Sequence, residues 1–263
     1  MVIHRHLLSN IDEIDLIWLG GRISEAMEVD LERNIQRVRE SIERVCARVG
    51  RDASSVCLVA VTKGHSPEMI RRSVELGLRV FGENRVQEAK VKIPLCPSGL
   101  EWHMVGHLQT NKCKDAVTLF DMIESVDSLH LAKELQKRAE QAARRIRVLL
   151  EVNVAGESTK YGFKPEEVVG ALKEINSMSR LEVLGLMTVA PFTTDPEKVR
   201  PVFRKLRELK ELCEDQIGAP LPHLSMGMSN DFEVAIEEGA TIVRIGTAIF
   251  GPRSTLKVES SGD

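Results

Sequence analysis

The sequence predicts an α/β fold, a single closed (β/α)8 barrel preceded by an N-terminal helix. Eight strand-like segments alternate with helical segments between residues 56 and 245, and this alternation is typical of parallel βαβ units. Eight units in a chain of 263 residues fit a closed barrel better than an open, doubly wound sheet. No linker rich in Pro, Gly or Ser and no block of like charges separates the units, so we expect one domain.

The predicted strands are short and mostly apolar. The first, VCLVAV at residues 56–61, is a continuous apolar run, as expected of a parallel strand buried on both faces. We predict the eight strands at residues 56–61, 79–81, 101–105, 120–124, 147–153, 181–187, 223–226 and 241–245.

Helical segments precede and separate these strands. Residues 24–49 carry apolar side chains three or four positions apart, which form one stripe on a helix. Ser24 suits the start of this helix and Gly50 suits its end. Further helices are predicted at residues 66–77, 86–92, from 110, 128–144, after 165, 196–216 and 231–238.

The two ends of the chain differ from the region between them. Residues 1–23 show no clean periodicity, and Met27 is an alternative initiator. Residues 254–263 read STLKVESSGD, which is typical of a polar tail. We therefore predict an N-terminal extension of undetermined status at residues 1–23, a barrel domain at 24–253 and a tail at 254–263.

The composition excludes several functional classes. Lys and Arg number 36 against 39 Asp and Glu, so the chain lacks the basic excess of a nucleic-acid-binding domain. Aromatic residues, at 4%, are too few for base-stacking platforms. No apolar run reaches the roughly 18 residues of a membrane span, and Asp12, Glu13 and Asp15 interrupt the segment that a secretory signal would need.

The five cysteines indicate the cellular compartment. Their number is odd and no pair has a C-x-x-C spacing, so neither a disulfide framework nor a zinc knuckle is predicted. This usage fits a reducing compartment, and we expect a cytoplasmic protein. No cluster of His, Asp and Glu has the spacing of a metal site. Because the sequence indicates no large apolar surface patch, we expect a monomer.

Lys63 is the most informative candidate residue. Most lysines of the chain lie on helices among charged neighbours, whereas Lys63 follows an apolar strand, at the end of the barrel where active residues lie. Partial desolvation lowers the pKa of an amine, and a neutral amine can attack a carbonyl carbon to form a Schiff base. The alternative is a lysine that caps the strand or pairs with a carboxylate.

The loops after the seventh and eighth strands are a second signal. They contain Ser229-Asn230 and Gly246-Thr247, which offer hydroxyl and backbone N–H groups. Barrels often bind phosphate with these two loops. The alternative is that both loops are simple turns.

Arg244 lies on the eighth strand in an otherwise apolar segment. Strand alternation places Arg244 and Gly246 on one face, which we expect to be the barrel interior. A buried arginine needs a partner, because an unpaired buried charge is costly. Arg244 therefore predicts either a salt bridge, for example with Glu83 or Glu151, or a contact to a ring nitrogen or an anion.

The histidines and the single tyrosine are less specific. His107 follows the third strand and fits either a ligand contact or a bond to its neighbours, whereas His65, His103 and His223 are interpreted as structural. Tyr161 shares a loop with Lys160. Both are also compatible with solvated loop residues.

Six segments, taken together and in this order, resemble a known family. They are VAVTK at residues 59–63, FGEN at 81–84, WHMVGHLQTNK at 102–112, GLMT at 185–188, LSMGMSNDF at 224–232 and VRIGTAIFG at 243–251. The pattern resembles the pyridoxal phosphate homeostasis proteins, relatives of the N-terminal barrel domain of alanine racemase, and covers residues 27–253. The resemblance implies an alanine racemase-like TIM barrel of PLP fold type III.

The resemblance also implies a cofactor, pyridoxal 5′-phosphate (PLP), and the residues that bind it. Lys63 resembles the lysine that holds PLP as a Schiff base, and Asn84 resembles a residue beside the cofactor ring. Arg244 resembles the residue that faces the pyridine nitrogen. A cation there leaves this nitrogen unprotonated, which weakens the ring as an electron sink.

The same resemblance assigns the phosphate group to Ser229, Gly246 and Thr247. One departure from the family pattern lies in the loop at residues 160–162. Tyr161 stands where smaller residues are common, while Lys160 agrees with the pattern. A role for Lys160 in cofactor transfer is a hypothesis.

The function that the resemblance implies is intracellular PLP homeostasis without established turnover, with PLP handed transiently to apo-enzymes. A racemase needs an acid or base on each face of the substrate carbon, and nothing in the sequence supplies an obvious second group opposite Lys63. Two alternatives stay open. One is a PLP-dependent racemase or lyase that uses Lys63 with Tyr161 or His107. The other is a cofactor-free barrel enzyme that acts on a phosphorylated sugar or acid.

Overall fold

The computed structural model describes residues 29–252. Eight parallel strands form one closed barrel in the order β1 to β8, and β8 pairs with β1 to complete it. The predicted barrel is confirmed. The predictions for residues 1–23 and 254–263 lie outside the described residues.

All eight predicted strands are present. Their bounds differ from the predicted ones by at most a few residues. The strands are β1 Cys57–Val61, β2 Val80–Glu83, β3 Glu101–Met104, β4 Met122–Val126, β5 Ile146–Glu151, β6 Leu181–Met187, β7 His223–Ser225 and β8 Ile242–Ile245.

Nine α-helices occur among residues 29–252. Helix α1 precedes the barrel, helices α2 to α8 connect consecutive strands, and the short α9 follows β8. They are α1 Leu31–Arg48, α2 Pro67–Glu75, α3 Val86–Lys92, α4 Cys113–Leu119, α5 Leu129–Gln141, α6 Val168–Asn176, α7 Arg200–Ile217, α8 Phe232–Glu237 and α9 Thr247–Phe250.

Two of the helix boundaries that differ from the predicted ones have local reasons. Helix α1 begins at Leu31, and Asp30 occupies the preceding position, where a short polar side chain is favoured; the predicted start at Ser24 lies outside the described residues. Helix α5 ends at Gln141 rather than Arg144. Ala143 adopts a φ of 51°, which is incompatible with a continuing right-handed helix.

The barrel has two separate apolar regions. The larger core lies between the strands and the surrounding helices. The smaller one contains Val59, Val61, Val105, Leu149 and Ile242. These side chains alternate along their strands with those of the outer core, so they fill the barrel interior.

Helix α1 packs against the helices that follow β7 and β8. Arg44 forms a salt bridge with Glu233 of α8 at 2.8 Å, and Asn34 Nδ2 donates a hydrogen bond to the carbonyl of Ile249 in α9 at 3.0 Å. Helix α1 therefore supports the segment that follows β8. None of the described helices has the length and hydropathy that a membrane crossing requires.

Candidate PLP-binding site

Lys63 lies two residues beyond β1, at the carboxyl ends of the barrel strands. Val59 and Val61 point into the barrel, and strand alternation places Lys63 on the same side. A cavity of about 920 Å³ opens there, and Lys63, Asn84, His107 and Tyr161 are among its lining residues. The structure thus brings Lys63 and Asn84 of the predicted site together.

Asn84 follows β2 and carries an unusual side-chain oxygen. Its Oδ1 is buried and has no hydrogen-bond partner among the described residues. Gly106 lets the backbone of Asn84 approach closely, because a Cβ on Gly106 would lie only 2.5 Å from the backbone carbonyl oxygen of Asn84. This oxygen is therefore available to accept a hydrogen bond from a ligand in the cavity.

The loops after β7 and β8 meet at the same end of the barrel. Ser229 Oγ accepts a hydrogen bond from the backbone N–H of Ala248 at 3.1 Å, so Ser229 contacts the segment that contains Gly246 and Thr247. A Cβ on Gly246 would lie 3.3 Å from the carbonyl oxygen of Val61. The predicted phosphate residues therefore adjoin the end of β1.

The predicted phosphate residues Ser229, Gly246 and Thr247 do not line the cavity around Lys63. Ser229 instead borders a second cavity of about 480 Å³, together with Arg48 and Arg200. The six predicted site residues thus occur at one end of the barrel but do not share one open space.

Arg244 is buried in the barrel interior and is paired. Its Nη2 donates to the carbonyl oxygen of Thr188 at 2.8 Å, its Nη1 donates to Ser225 Oγ, and Nη1 lies 3.8 Å from Glu124 Oε2. The buried salt bridge that was one of the two alternatives for Arg244 is present, but its partner is Glu124 rather than the suggested Glu83 or Glu151. Glu83 faces outward, as the alternation with inward-facing Gly82 requires.

Arg244 belongs to a chain of polar side chains across the barrel interior, which we call the inner network; it is buried from Arg244 to His103 and partly exposed at Glu101 and Arg147. Ser225 Oγ donates to Glu124 Oε2 at 2.5 Å, and Glu124 Oε1 contacts His103 Nδ1 at 2.6 Å. His103 Nε2 contacts Glu101 Oε1 at 3.1 Å. The members of the inner network are Glu101, His103, Glu124, Arg147, Ser225 and Arg244.

The inner network shifts the proton affinities of its members. Burial lowers the pKa of His103, but hydrogen bonds and charges from Glu101 and Glu124 outweigh it and raise this pKa to about 9. The His103 hydrogen bond lowers the pKa of Glu101 to about 2 against the effect of burial. Burial favours protonated Glu124, yet its bonds to His103 and Ser225 and the charge of Arg244 lower its pKa.

A second buried ionic group lies on the other side of the barrel wall, and we call it the outer cluster. It contains Thr62, Glu83, Glu88 and Lys92. Thr62 Oγ1 donates to Glu83 Oε1 at 2.6 Å, and Lys92 Nζ lies 2.9 Å from the same oxygen and 2.5 Å from Glu88 Oε1. Glu83 Oε2 is buried without a partner among the described residues.

His107 and Tyr161 meet at the cavity wall. Their rings are stacked with centroids 3.5 Å apart, and His107 Nδ1 contacts Asp127 Oδ2 at 2.8 Å. Lys160 pairs with Glu157 at 2.8 Å. The loop that carries Tyr161 turns at Gly162, whose φ of 114° favours glycine.

The sequence analysis did not identify several of these groups as functional. Glu124, Lys92 and Ser225 were not singled out, and Glu151 was considered only as a partner of Arg244. Burial and the charge of Asp127 raise the pKa of Glu151 to about 7, against the opposing charge of Arg244. The available signal was a charged residue within an apolar strand, as in MIESV at β4.

Comparisons with known proteins agree with this geometry. The family model "Alanine racemase, N-terminal domain" matches residues 31–254. A pyridoxal phosphate homeostasis protein of Aquifex aeolicus is 49% identical over 220 residues, which cover 83% of this chain and 96% of that protein. The corresponding protein of Homo sapiens is 37% identical over 258 residues and covers 92% of each chain.

A solved structure extends the comparison to three dimensions. PipY of Synechococcus elongatus, with PLP bound, superposes with a TM-score of 0.70 at 35% identity, covering 80% of this chain and 100% of that one. The fold, the order of the strands and these similarities agree. The chain therefore belongs to the family of pyridoxal phosphate homeostasis proteins, whose barrel is that of the alanine racemase N-terminal domain.

Proposed function

We propose that this protein binds PLP as a Schiff base on Lys63 and serves PLP homeostasis without catalytic turnover. The observation that carries the proposal is the position of Lys63, which lines a cavity of about 920 Å³ at the carboxyl end of β1. A relative of 35% identity was solved with PLP bound. When bound, PLP supplies an electrophilic carbonyl carbon and an electron-accepting ring.

The residues around Lys63 fit this cofactor. Asn84 offers a buried amide oxygen that lacks a partner among the described residues. The oxygen and nitrogen of an asparagine amide can exchange places by rotation, so Asn84 can either donate to or accept from a polar ring substituent. We assign Asn84 to the edge of the cofactor ring.

The phosphate group is assigned to the segment after β8 and to Ser229. Gly246 and Thr247 lie at the first turn of α9, where backbone N–H groups have no acceptor within the helix. The Ser229 hydroxyl already contacts this turn through Ala248. Hydroxyl and backbone N–H groups are common donors to phosphate.

Arg244 is assigned to the pyridine nitrogen. Its guanidinium is held by Ser225 and the Thr188 carbonyl, and a guanidinium offers only N–H donors and a positive charge, so it would bond to the ring nitrogen only while that nitrogen is unprotonated. The nitrogen therefore stays unprotonated, and the ring is a weak electron sink. This argument and the names of the relatives support a binding protein rather than an enzyme.

The absorbance of the purified protein with PLP tests the proposal, before and after borohydride reduction, with mass spectrometry to map the reduced adduct. We expect a Schiff-base band and an adduct on Lys63. Lys63→Ala is the matched control and should lose both. A missing band, or an adduct spread over surface lysines, would contradict the proposal and favour the cofactor-free barrel enzyme.

One observation keeps a second candidate testable, a PLP-dependent racemase or lyase. Lys63, His107 and Tyr161 line the same cavity, so an acid or base lies near the cofactor lysine. Racemisation of several amino acids by the wild type, far above the rate of Lys63→Ala and reduced in His107→Asn, would favour this enzyme. We expect equal background rates in all three proteins.

We further propose that the protein is a cytoplasmic monomer that passes PLP to apo-enzymes. The large exposed apolar side chains of residues 29–252 lie on several different segments of the chain (Val49, Val91, Leu95, Tyr161, Phe192 and Leu212). Sedimentation analysis at micromolar concentration should give one species of monomer mass. A dimer would overturn this part of the proposal.

A further inference from the structure

The two peptide groups that flank Lys63 are both bound by the outer cluster. On one side, the carbonyl oxygen of Thr62 accepts a hydrogen bond from Lys92 Nζ at 2.6 Å. On the other side, the backbone N–H of Gly64 donates to Glu88 Oε1 at 2.6 Å. The backbone around Lys63 is therefore held from both directions by side chains of one helix, α3.

Lys92 connects these two contacts. Its side chain is only 8% exposed, and its Nζ contacts Thr62, Glu83 and Glu88 together. Each of its three N–H bonds thus has an acceptor, which matches the donor capacity of an ammonium group. Removal of Lys92 would leave the Thr62 carbonyl with the backbone N–H of His65 as its donor, at 3.0 Å, and would leave Glu83 beside Glu88 without a cation between them.

Stability alone does not account for this cluster. Buried ion pairs contribute little net stability, because desolvation offsets their attraction. Glu83 Oε2 is buried without a partner in the described part of the chain, which is a further cost. Burial raises the pKa of Glu83 against the charge of Lys92. The cluster is better explained by the geometry that it imposes on its neighbours.

We propose that Lys92, acting with Glu88 and Glu83, is a positioning residue for Lys63. By holding the Thr62 carbonyl and the Gly64 N–H, the cluster orients the Cα–Cβ bond of Lys63 toward the cavity before any ligand arrives. Preorganisation of this kind removes an ordering cost from binding. The inference rests on the proposed function of Lys63, and it assigns to α3 a role that the cavity lining alone does not show.

The test compares two ligands and two lysines of α3. PLP reports on Lys63 together with the ring and phosphate contacts, whereas pyridoxine 5′-phosphate, which has no aldehyde, reports on the ring and phosphate contacts alone. Lys92→Met is the test variant. Lys90→Met is the matched control, because Lys90 lies on the same helix, is 62% exposed and pairs with Asp115.

We expect Lys92→Met to weaken PLP binding by about tenfold to a hundredfold, the size typical of a misplaced reacting group. The affinity for pyridoxine 5′-phosphate should change less than about twofold, because this ligand has no aldehyde to react with Lys63. Lys90→Met should match the wild type with both ligands. Equal losses for both ligands in Lys92→Met would indicate general loosening of the barrel and overturn the proposal, as would wild-type affinity for PLP.

A measurement on the ligand-free protein gives an independent readout. The rate at which an acetylating reagent modifies Lys63, followed by mass spectrometry, should differ between Lys92→Met and the wild type, while Lys90→Met should leave it unchanged. An unchanged Lys63 rate in Lys92→Met would contradict the proposal.

Two substitutions of Glu88 cover the case in which Lys92→Met does not fold. Glu88→Gln keeps an oxygen that accepts from the Gly64 N–H, so its ratio of PLP to pyridoxine 5′-phosphate affinity should stay near that of the wild type. Glu88→Leu removes the acceptor and should lower this ratio. Equal ratios in the two variants would overturn the positioning role. If the wild type itself shows no preference for PLP and Lys63→Ala matches it, the proposed function fails first.

Discussion

The barrel wall carries one buried ionic group on each of its sides, and the two differ in how completely they are paired. In the inner network, both oxygens of Glu124 have partners, His103 on one and Ser225 on the other. In the outer cluster, Glu83 uses Oε1 for two donors while Oε2 has none among residues 29–252. The inner carboxylate is saturated, and the outer one is not.

This difference indicates two kinds of support for the site. A fully bonded polar network in a low-dielectric interior is rigid and holds its members in one geometry. The inner network therefore gives Arg244 a fixed position and charge. The outer cluster contacts the backbone on both sides of Lys63 and leaves one carboxylate oxygen without a partner among the described residues.

The largest expected change in the free energy of unfolding comes from a Glu→Gln substitution, which we compare between the inner network and the outer cluster. Glu124→Gln should lower the free energy of unfolding by about 3–5 kcal/mol, because it removes the anion beside the buried Arg244 and leaves the buried His103 with Glu101 as its only carboxylate partner. Glu83→Gln should cost about 1 kcal/mol, because the amide oxygen still accepts from Thr62 and Lys92 still has Glu88.

Urea denaturation measures both values, and Glu182→Gln is a control. Glu182 is half-exposed and lies 3.8 Å from Arg145, so its loss should change stability by less than about 0.5 kcal/mol. Equal costs for Glu124→Gln and Glu83→Gln would remove the distinction between the two groups.

A somewhat smaller change in the free energy of unfolding is expected from a rise in pH. This change tests the inner network separately from the outer cluster. The pKa of His103 is about 9 in the folded protein against 6.5 ordinarily, so the folded state holds this proton more tightly. Its contribution is complete below pH 6.5 and is lost as pH rises through 9, by roughly 3 kcal/mol in total.

The measurement is the free energy of unfolding of wild type and His103→Gln between pH 7.5 and 9.5. Most of the titration of Glu151, whose pKa is about 7, lies below this range, and the remainder is common to both proteins. Thiol effects, which arise from the raised pKa values of Cys57, Cys113 and Cys213, cancel in the difference between the two proteins. Parallel pH curves would show that His103 does not carry the charge assigned to it.

The smallest change in the free energy of unfolding is expected from removal of a hydroxyl group, Ser225 in the inner network or Thr62 in the outer cluster. Ser225→Ala removes the hydroxyl that donates to Glu124 and accepts from Arg244. It should lower the free energy of unfolding by about 2 kcal/mol. Thr62→Val removes a donor to Glu83 alone and should cost about 1 kcal/mol. Thermal or urea unfolding of both variants checks the order, and a larger loss in Thr62→Val would reverse the comparison.

The strands and most helices were predictable because their signals are local. An apolar run such as residues 57–61 and a stripe such as that of α1 follow from periodicities of the chain itself. Lys63 was also predictable, since its place at the end of an apolar strand is visible in the sequence. The motifs that resemble the homeostasis proteins added Asn84, Arg244 and the phosphate residues as predictions.

The partners of the buried charges were not predictable in the same way. Ser225 and Glu124 are 101 residues apart in the chain, and His103 and Glu124 are 21 apart. Arg244 was expected to pair with Glu83 or Glu151, but closure of the barrel places Glu124 and Ser225 beside it. Side-chain alternation predicts which residues point inward, but not which of them meet.

The sequence by itself determined the barrel, the order of its strands and the identity of the lysine at the end of β1, because hydrophobic periodicity and short motifs act over neighbouring residues. The tertiary structure decided which buried charges neutralise one another and which side chains of α3 hold the backbone around Lys63. Those contacts depend on distances across the barrel and between β1 and α3, and such distances exist only once the eighth strand has closed on the first.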